Sequence, residues 1–289
     1  MQKDHIYRYL FQESDIRGEM VQLNHTLKNC LVHRSYPPVI TALLGELLSM
    51  TSLLTATLKF EGEITLQLQS QHAVELAVVT GTHQNAMRGL IQFDEAKLDK
   101  ATSKELTELC YQGTMVITIS PTQGQRYQGI IQIEQPTLAG CVEQYFLQSE
   151  QLQTRIWLYQ QGDQAGGIML QALPSEHKEA QQHTFEHLSI LTETLKEQEL
   201  FDLDAQQILH RLYHEEDVLL FEPDLIHFKC TCSQTRSAQA IISLGQSEVE
   251  RILAEETTVN LDCEFCGKVY DFDAVDVAKL FHTTPTSKK

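Results

Sequence analysis

Lys229-Cys230-Thr231-Cys232-Ser233 and Cys263-Glu264-Phe265-Cys266-Gly267 are the stretches on which the reading of this chain turns. They hold four of its seven cysteines, as two tight pairs in one short segment. Two close pairs on either side of a longer loop are what a tetrahedral zinc site needs. A Cys-x-x-Cys turn followed by glycine is a zinc knuckle: the turn aims both sulfurs at one point, and Gly267 can take the positive φ that closes it. Cys-x-Cys is rarer. It sets two sulfurs on one side of an extended backbone, because side chains alternate with period two. The expected ligands of one Zn2+ are therefore Cys230, Cys232, Cys263 and Cys266.

Spacing alone favours a structural zinc ribbon over a regulated site. A disulfide framework fits less well. Met1 to Leu10 is charged and polar, without the apolar core of a signal peptide, so the expected location is the cytosol, where thiols stay reduced. A thioredoxin-type active site is disfavoured too, because Cys263 and Cys266 do not join a strand to a helix of a βαβ unit.

The chain has 289 residues, 42% hydrophobic and 21% charged, with a formal charge of -17. That suits ordinary globular protein and leaves room for two domains. The charge is uneven. Met1 to Pro174 carries 12 Lys/Arg against 17 Asp/Glu, and Ser175 to Lys289 carries 10 against 22. The cysteine-bearing half is thus the acidic half and repels phosphate backbones, which disfavours nucleic acid as a partner.

The expected fold class is α+β: a strand-rich core domain over residues 1–174, a helical linker over 175–217 and a small zinc module over 218–289. Glu19 to Cys30 places Met20, Leu23 and Leu27 on a helical spacing. Tyr36-Pro37-Pro38 opens an apolar stretch, Val39 to Phe60, read as a core helix. Glu46 and the hydroxyl residues Thr41, Ser49, Thr51, Ser52, Thr55 and Thr57 argue against a membrane span there. Strands are expected at Ile64 to Gln69, Val74 to Thr80, Met115 to Ser120 and Tyr127 to Glu134, with a hairpin over Thr154 to Tyr159 and Gly167 to Leu173. Short helices are expected at Ser103 to Cys110 and Leu138 to Leu147. His25, His33, His72 and His83 lie apart, with no nucleophile at a motif spacing, so no catalytic site is read here. Cys30, Cys110 and Cys141 fall on apolar helical positions, as inert buried thiols do.

In the linker, Phe185, Leu188, Leu191 and Leu195 form one helical stripe. Asp204 caps a second helix that ends in Glu215-Glu216-Asp217. That acidic run opposes the helix dipole. It fits either a segment poised to detach or a solvated face. In the module, Leu225 to Phe228 leads into Cys230 as a strand. Helices are expected from Ser233 to Leu244 and, from a capping box at Ser247-Glu248-Val249-Glu250, to about Glu255. Val259 to Leu261 and Lys268 to Phe272 flank the knuckle, and Asp273 caps a last helix. Lys229 and Lys268 can offset part of the charge of a four-thiolate centre. So small a module buries little core, so the metal is expected to carry much of its fold energy.

The two cysteine pairs resemble the redox switch of the heat-shock protein 33 family. Further stretches share the likeness: Arg17-Gly18-Glu19, Leu44-Gly45-Glu46-Leu47-Leu48, Ser52 to Phe60, Arg126-Tyr127-Gln128-Gly129, Leu191-Thr192-Glu193-Thr194 and Arg211 to Glu216. It runs from Phe11 to about Phe281. The resemblance implies a cytoplasmic, ATP-independent holdase rather than an enzyme, inactive while reduced and zinc-bound. It implies that oxidation pairs Cys230 with Cys232 and Cys263 with Cys266, releases zinc, and unfolds module and linker to expose a surface for unfolding client proteins. Homodimerisation on activation and hand-off of clients to ATP-driven chaperones are implied as well. The rivals are a thiol-disulfide oxidoreductase, which would turn over, and a structural zinc ribbon, which would resist moderate oxidation. The linker stripe, Phe185, Leu188, Leu191 and Leu195, is the expected client-binding or covering element.

Overall fold

The computed structural model describes residues 4–59 and 61–283. In chain order the elements are β1 (His5–Phe11), β2 (Ile16–Leu23), α1 (His25–Leu31), α2 (Pro38–Ala56), β3 (Gly62–Gln69), β4 (Val74–Thr82) and β5 (Ala86–Phe93). Then come α3 (Glu95–Leu98), α4 (Leu106–Leu109), β6 (Thr114–Pro121), β7 (Tyr127–Gln132), α5 (Leu138–Tyr145), β8 (Thr154–Gln161) and β9 (Gln164–Ala172). The helices α6 (Lys178–Glu193), α7 (Glu197–Asp202) and α8 (Ala205–Tyr213) precede three short strands, β10 (Val218–Leu220), β11 (Asp224–Leu225) and β12 (His227–Phe228). The chain closes with α9 (Gln234–Leu244), α10 (Gln246–Glu255), β13 (Thr258–Asp262), β14 (Val269–Asp273) and α11 (Ala274–Thr283). Contacts divide it into two compact units, 1–229 and 230–289.

Helix α2 is the axle of the first unit. It packs on β2, β8 and β9 of one sheet, ordered β10-β1-β2-β9-β8, and on β3, β4 and β5 of another, ordered β12-β5-β4-β3-β6-β7. By length and composition it could span a membrane, yet 72% of its most apolar window is buried inside the protein. Its hydroxyl residues lie in that dry interior because each finds a partner in its own helix. Ser49, Thr51, Ser52 and Thr55 donate to the carbonyls of Gly45, Leu47, Leu48 and Thr51 at 2.6–2.9 Å. Gly45 lets the helix approach closely, since a Cβ there would stand 2.9 Å from the Ala165 Cβ. Phe60, the expected end of this stretch, lies outside the described residues. Buried Asp4 caps α1 by accepting the N–H groups of Asn24, His25 and Thr26 at 2.6–3.0 Å.

The first sheet is buried on both faces. Ile6, Val21 and Leu23 join the core around α2, while Tyr9, Phe11, Ile16, Met20, Ile168 and Leu170 meet α6, α7 and α8. That double burial corrects one expectation. Glu19 to Cys30 is not one helix: residues up to Leu23 form β2, whose side chains are buried almost continuously, and only His25–Leu31 is helical. A strand covered on both sides loses the alternation that marks strands, and chance spacing then resembles a helix. Strand β5 and helix α7 are further elements without a sequence signal.

The domain boundary also moves. Residues 218–228 do not start the cysteine module; β10 and β11 pair with β1, and β12 runs parallel to β5. Backbone pairing of very short strands follows from what lies beside them, not from their own composition. The acidic run is held as well. Glu216 lies 3.3 Å from His187 Nε2, and the Asp217 carboxylate and carbonyl accept the side-chain amide and backbone N–H of Gln12.

Glu19 is buried beside Arg17, their charged atoms 3.5 Å apart, and burial pushes its carboxyl up to about 7 against the pull of Arg17 and Arg8. Burial does the same to Glu46. A folded carboxyl that keeps its proton to about pH 7, while the unfolded chain releases it near ~4.3, destabilises the fold as pH rises between those values. Stability of the first unit is thus expected to fall by on the order of 3 kcal/mol per such group from pH 4.5 to 8. Urea unfolding followed by Trp157, the sole tryptophan, measures it. Glu19→Gln should flatten the slope by about half; parallel curves for wild type and variant would refute the assignment.

Candidate metal centre

The second unit is built around a two-stranded ribbon, β13 paired with β14, and the three helices α9, α10 and α11. Among its described residues the buried apolar side chains are few: Ala238, Ile241, Val249, Val259, Tyr270, Phe272 and Val277. Cys232 and Cys263 pack against this small cluster. The ribbon turn is the knuckle. Cys263 N–H donates to Lys268 O at 2.9 Å, and the N–H groups of Cys266 and Gly267 donate back to Cys263 O. Gly267 has φ 66°, the left-handed value its lack of a Cβ permits. The Cys-x-Cys arm is held from α9. Ser233 caps that helix, and Arg236 donates to both the carbonyl and the hydroxyl oxygen of Thr231. The expected capping box at Ser247 is absent: α10 starts from Gly245, whose φ of 89° ends α9 and begins the next helix directly.

These two turns bring all four sulfurs within 4.8 Å of one another. The shortest separations cross between the pairs, 3.6 Å for Cys230–Cys263 and 3.5 Å for Cys232–Cys266. A tetrahedral ion with metal–sulfur bonds of ~2.3 Å spaces its ligands at about 3.8 Å. The donor set therefore fits a four-coordinate soft metal. No disulfide joins any of the seven cysteines.

Hydrogen bonds divide the labour among the sulfurs. Burial and its cysteine neighbours push Cys230 up to about 12, partly offset by the Cys232 backbone N–H. Cys266 is raised by burial, and the Lys268 N–H opposes this. Burial also raises Cys232, but the Tyr270 hydroxyl, donating at 3.1 Å, together with the other sulfurs brings it down to about 7. Tyr270 and Arg236 carry no recognisable sequence signal; one sits on a strand and the other on a helix, and only folding sets them beside the cysteines. Lys268 places its ammonium 5.0 Å above the Tyr270 ring centre, and Lys229 hydrogen-bonds through its backbone to Met87 O.

Outside this unit the thiols are sealed. Cys30, Cys110 and Cys141 are buried, and burial together with Cys141 pushes Cys110 up to about 12. Buried thiols held protonated are poor nucleophiles. On the linker, Phe185, Leu188 and Leu195 are buried and Leu191 is half-buried, all against the outer face of the first sheet. Polar ties reinforce the packing: Tyr159 donates to Leu195 O at 3.1 Å, and Gln22 donates to the carbonyls of Leu200 and Leu203. Asp204 caps α8 as expected, accepting the Gln207 N–H at 2.8 Å.

Fold and site together define a class: a mixed α+β protein ending in a small unit with a four-cysteine group able to hold a metal ion. The family model described as Hsp33 protein matches residues 4–273, and the chain belongs to that family. The 33 kDa chaperonin of Shewanella baltica is 52% identical over 99% of both chains. That of Shewanella sp. strain MR-4 is 51% identical over 97% of this chain and 96% of its own. The crystal structure of the Thermotoga maritima 33 kDa chaperonin superposes with a TM-score of 0.81, covering 96% of this chain and 98% of that one. At 18% identity, that likeness shows a shared fold.

Proposed function

We propose that this protein is a cytoplasmic, ATP-independent holdase switched on by oxidation. The observation that carries the reading is the gathering of four sulfurs, at metal-ligand spacing, in a unit whose apolar core is too small to be its main support. Family membership and the chaperonin name of the relatives agree with it.

When bound, zinc holds Cys230, Cys232, Cys263 and Cys266 as thiolates, the form that oxidants attack. Each thiolate pair gives up two electrons to one peroxide. Pairing Cys230 with Cys232 and Cys263 with Cys266 thus consumes two peroxides and four protons, and yields two disulfides and four waters. Sulfurs so paired no longer bind the ion. The unit then loses its support, α6 to α8 release the sheet, and the apolar face with Ile16, Met20, Ile168 and Leu170 meets unfolding client proteins. Homodimerisation of the activated form and transfer of clients to ATP-driven chaperones complete the reading.

Zinc content and free thiols, counted before and after peroxide, test it alongside light scattering from an unfolding client. One zinc lost with four thiols, and scattering suppressed stoichiometrically, is the expected result. Catalytic turnover of a test disulfide would point instead to an oxidoreductase, and zinc retained at moderate peroxide to a structural ribbon.

A further inference from the structure

We propose that Tyr270 is an outer-shell residue of the metal centre: its hydroxyl donates to the Cys232 thiolate and tightens the hold of the four sulfurs on zinc. This rests on the zinc reading above and names a side chain that tunes it. Tyr270 pairs with Leu261 in the ribbon, lies only 5% exposed, and brings its hydroxyl to 3.1 Å from Cys232 Sγ. The ring is fixed by the unit's core, so the donor is pre-positioned rather than recruited.

Four thiolates around a divalent cation carry a net charge of about −2. Hydrogen bonds to sulfur spread that charge. Cys232 receives one from a side chain, which a substitution can remove without touching the turn. The Lys268 ammonium, 5.0 Å above the ring centre, draws on the ring's electrons and makes the hydroxyl a stronger donor. Residues that hydrogen-bond metal ligands are commonly worth roughly 10–100-fold in metal affinity.

Tyr270→Phe keeps the ring and deletes the donor. In the reduced full-length protein, competition with a chromophoric chelator reads zinc affinity, and the spectrum of the cobalt(II)-substituted protein reads the sulfurs. The expected result is about a 10-fold weaker hold on zinc. The sulfur-to-cobalt charge-transfer bands should also move to longer wavelength, because the Cys232 lone pairs rise in energy without their proton donor. Lys268→Met should shift both in the same direction, less far, and decides the matter if the Phe variant loses its fold. Wild-type affinity with an unchanged spectrum overturns the proposal. Weaker binding with an unchanged spectrum overturns it too, since that marks Tyr270 as packing alone. Wild-type protein that takes up no zinc at all would remove the zinc reading itself, a failure separate from these.

Discussion

Peroxide treatment of the reduced, zinc-loaded protein is expected to abolish amide-exchange protection across residues 230–283 while β3 to β6 stay protected. The magnitude follows from two opposing sums. A structural zinc held by thiolates contributes on the order of 10–16 kcal/mol of apparent binding energy. A whole domain is stable by only about 5–15 kcal/mol. Among its described residues the second unit has seven well-buried apolar side chains, and two of the proposed ligands, Cys232 and Cys263, pack against them. Removing the ion takes away more than such a core supplies and leaves four sulfurs crowded within 4.8 Å. Hydrogen exchange read by mass spectrometry, with zinc release followed in the same sample, measures the effect. Full zinc release with protection intact would show that the ribbon and helices stand unaided, and the switch would have no moving part. Chelation without oxidant gives a second reading and should cause the same loss.

Leu188→Ser combined with Leu191→Ser is expected to give holdase activity without oxidant, with zinc still bound. Leu188 is fully buried and Leu191 half-buried on the helix that covers the outer face of the first sheet. Emptying a buried leucine site costs about 2–5 kcal/mol, and a buried hydroxyl without a partner adds to it. That is enough to populate a state with α6 lifted off. The face beneath, with Tyr9, Met20, Ile168 and Leu170, is apolar and continuous. Suppression of client light scattering in the absence of peroxide is the readout, and Trp157 fluorescence checks that the first unit remains folded. Ile190→Ser, on the exposed side of the same helix at 64% exposure, should change nothing. A folded double variant with no gain in activity would place the client surface elsewhere.

Much of the cysteine unit is legible in the sequence. Short spacings confine geometry: two residues between Cys263 and Cys266 leave few backbone paths, and the glycine after them closes the turn. The hydroxyl-rich core helix was legible too, because Ser and Thr can satisfy themselves on the carbonyl four residues back. Illegible were β2, β5 and β10, and the pairing of the expected strand near Phe228 with the first unit, since their partners lie far along the chain. Tyr270 and Arg236 belong with them, since no local pattern marks a residue whose role is to reach a distant sulfur or carbonyl.

The sequence by itself determined the donor set, the acidic charge of the cysteine-bearing half, the α+β class and the apolar stripe of α6, because each depends on residue type and near-neighbour spacing. Only the tertiary structure decided that the stripe seals a sheet face, that the boundary falls after Lys229, and that a tyrosine hydroxyl serves Cys232. Those depend on which surfaces meet, and such meetings are settled by burial and hydrogen bonding summed over the whole fold.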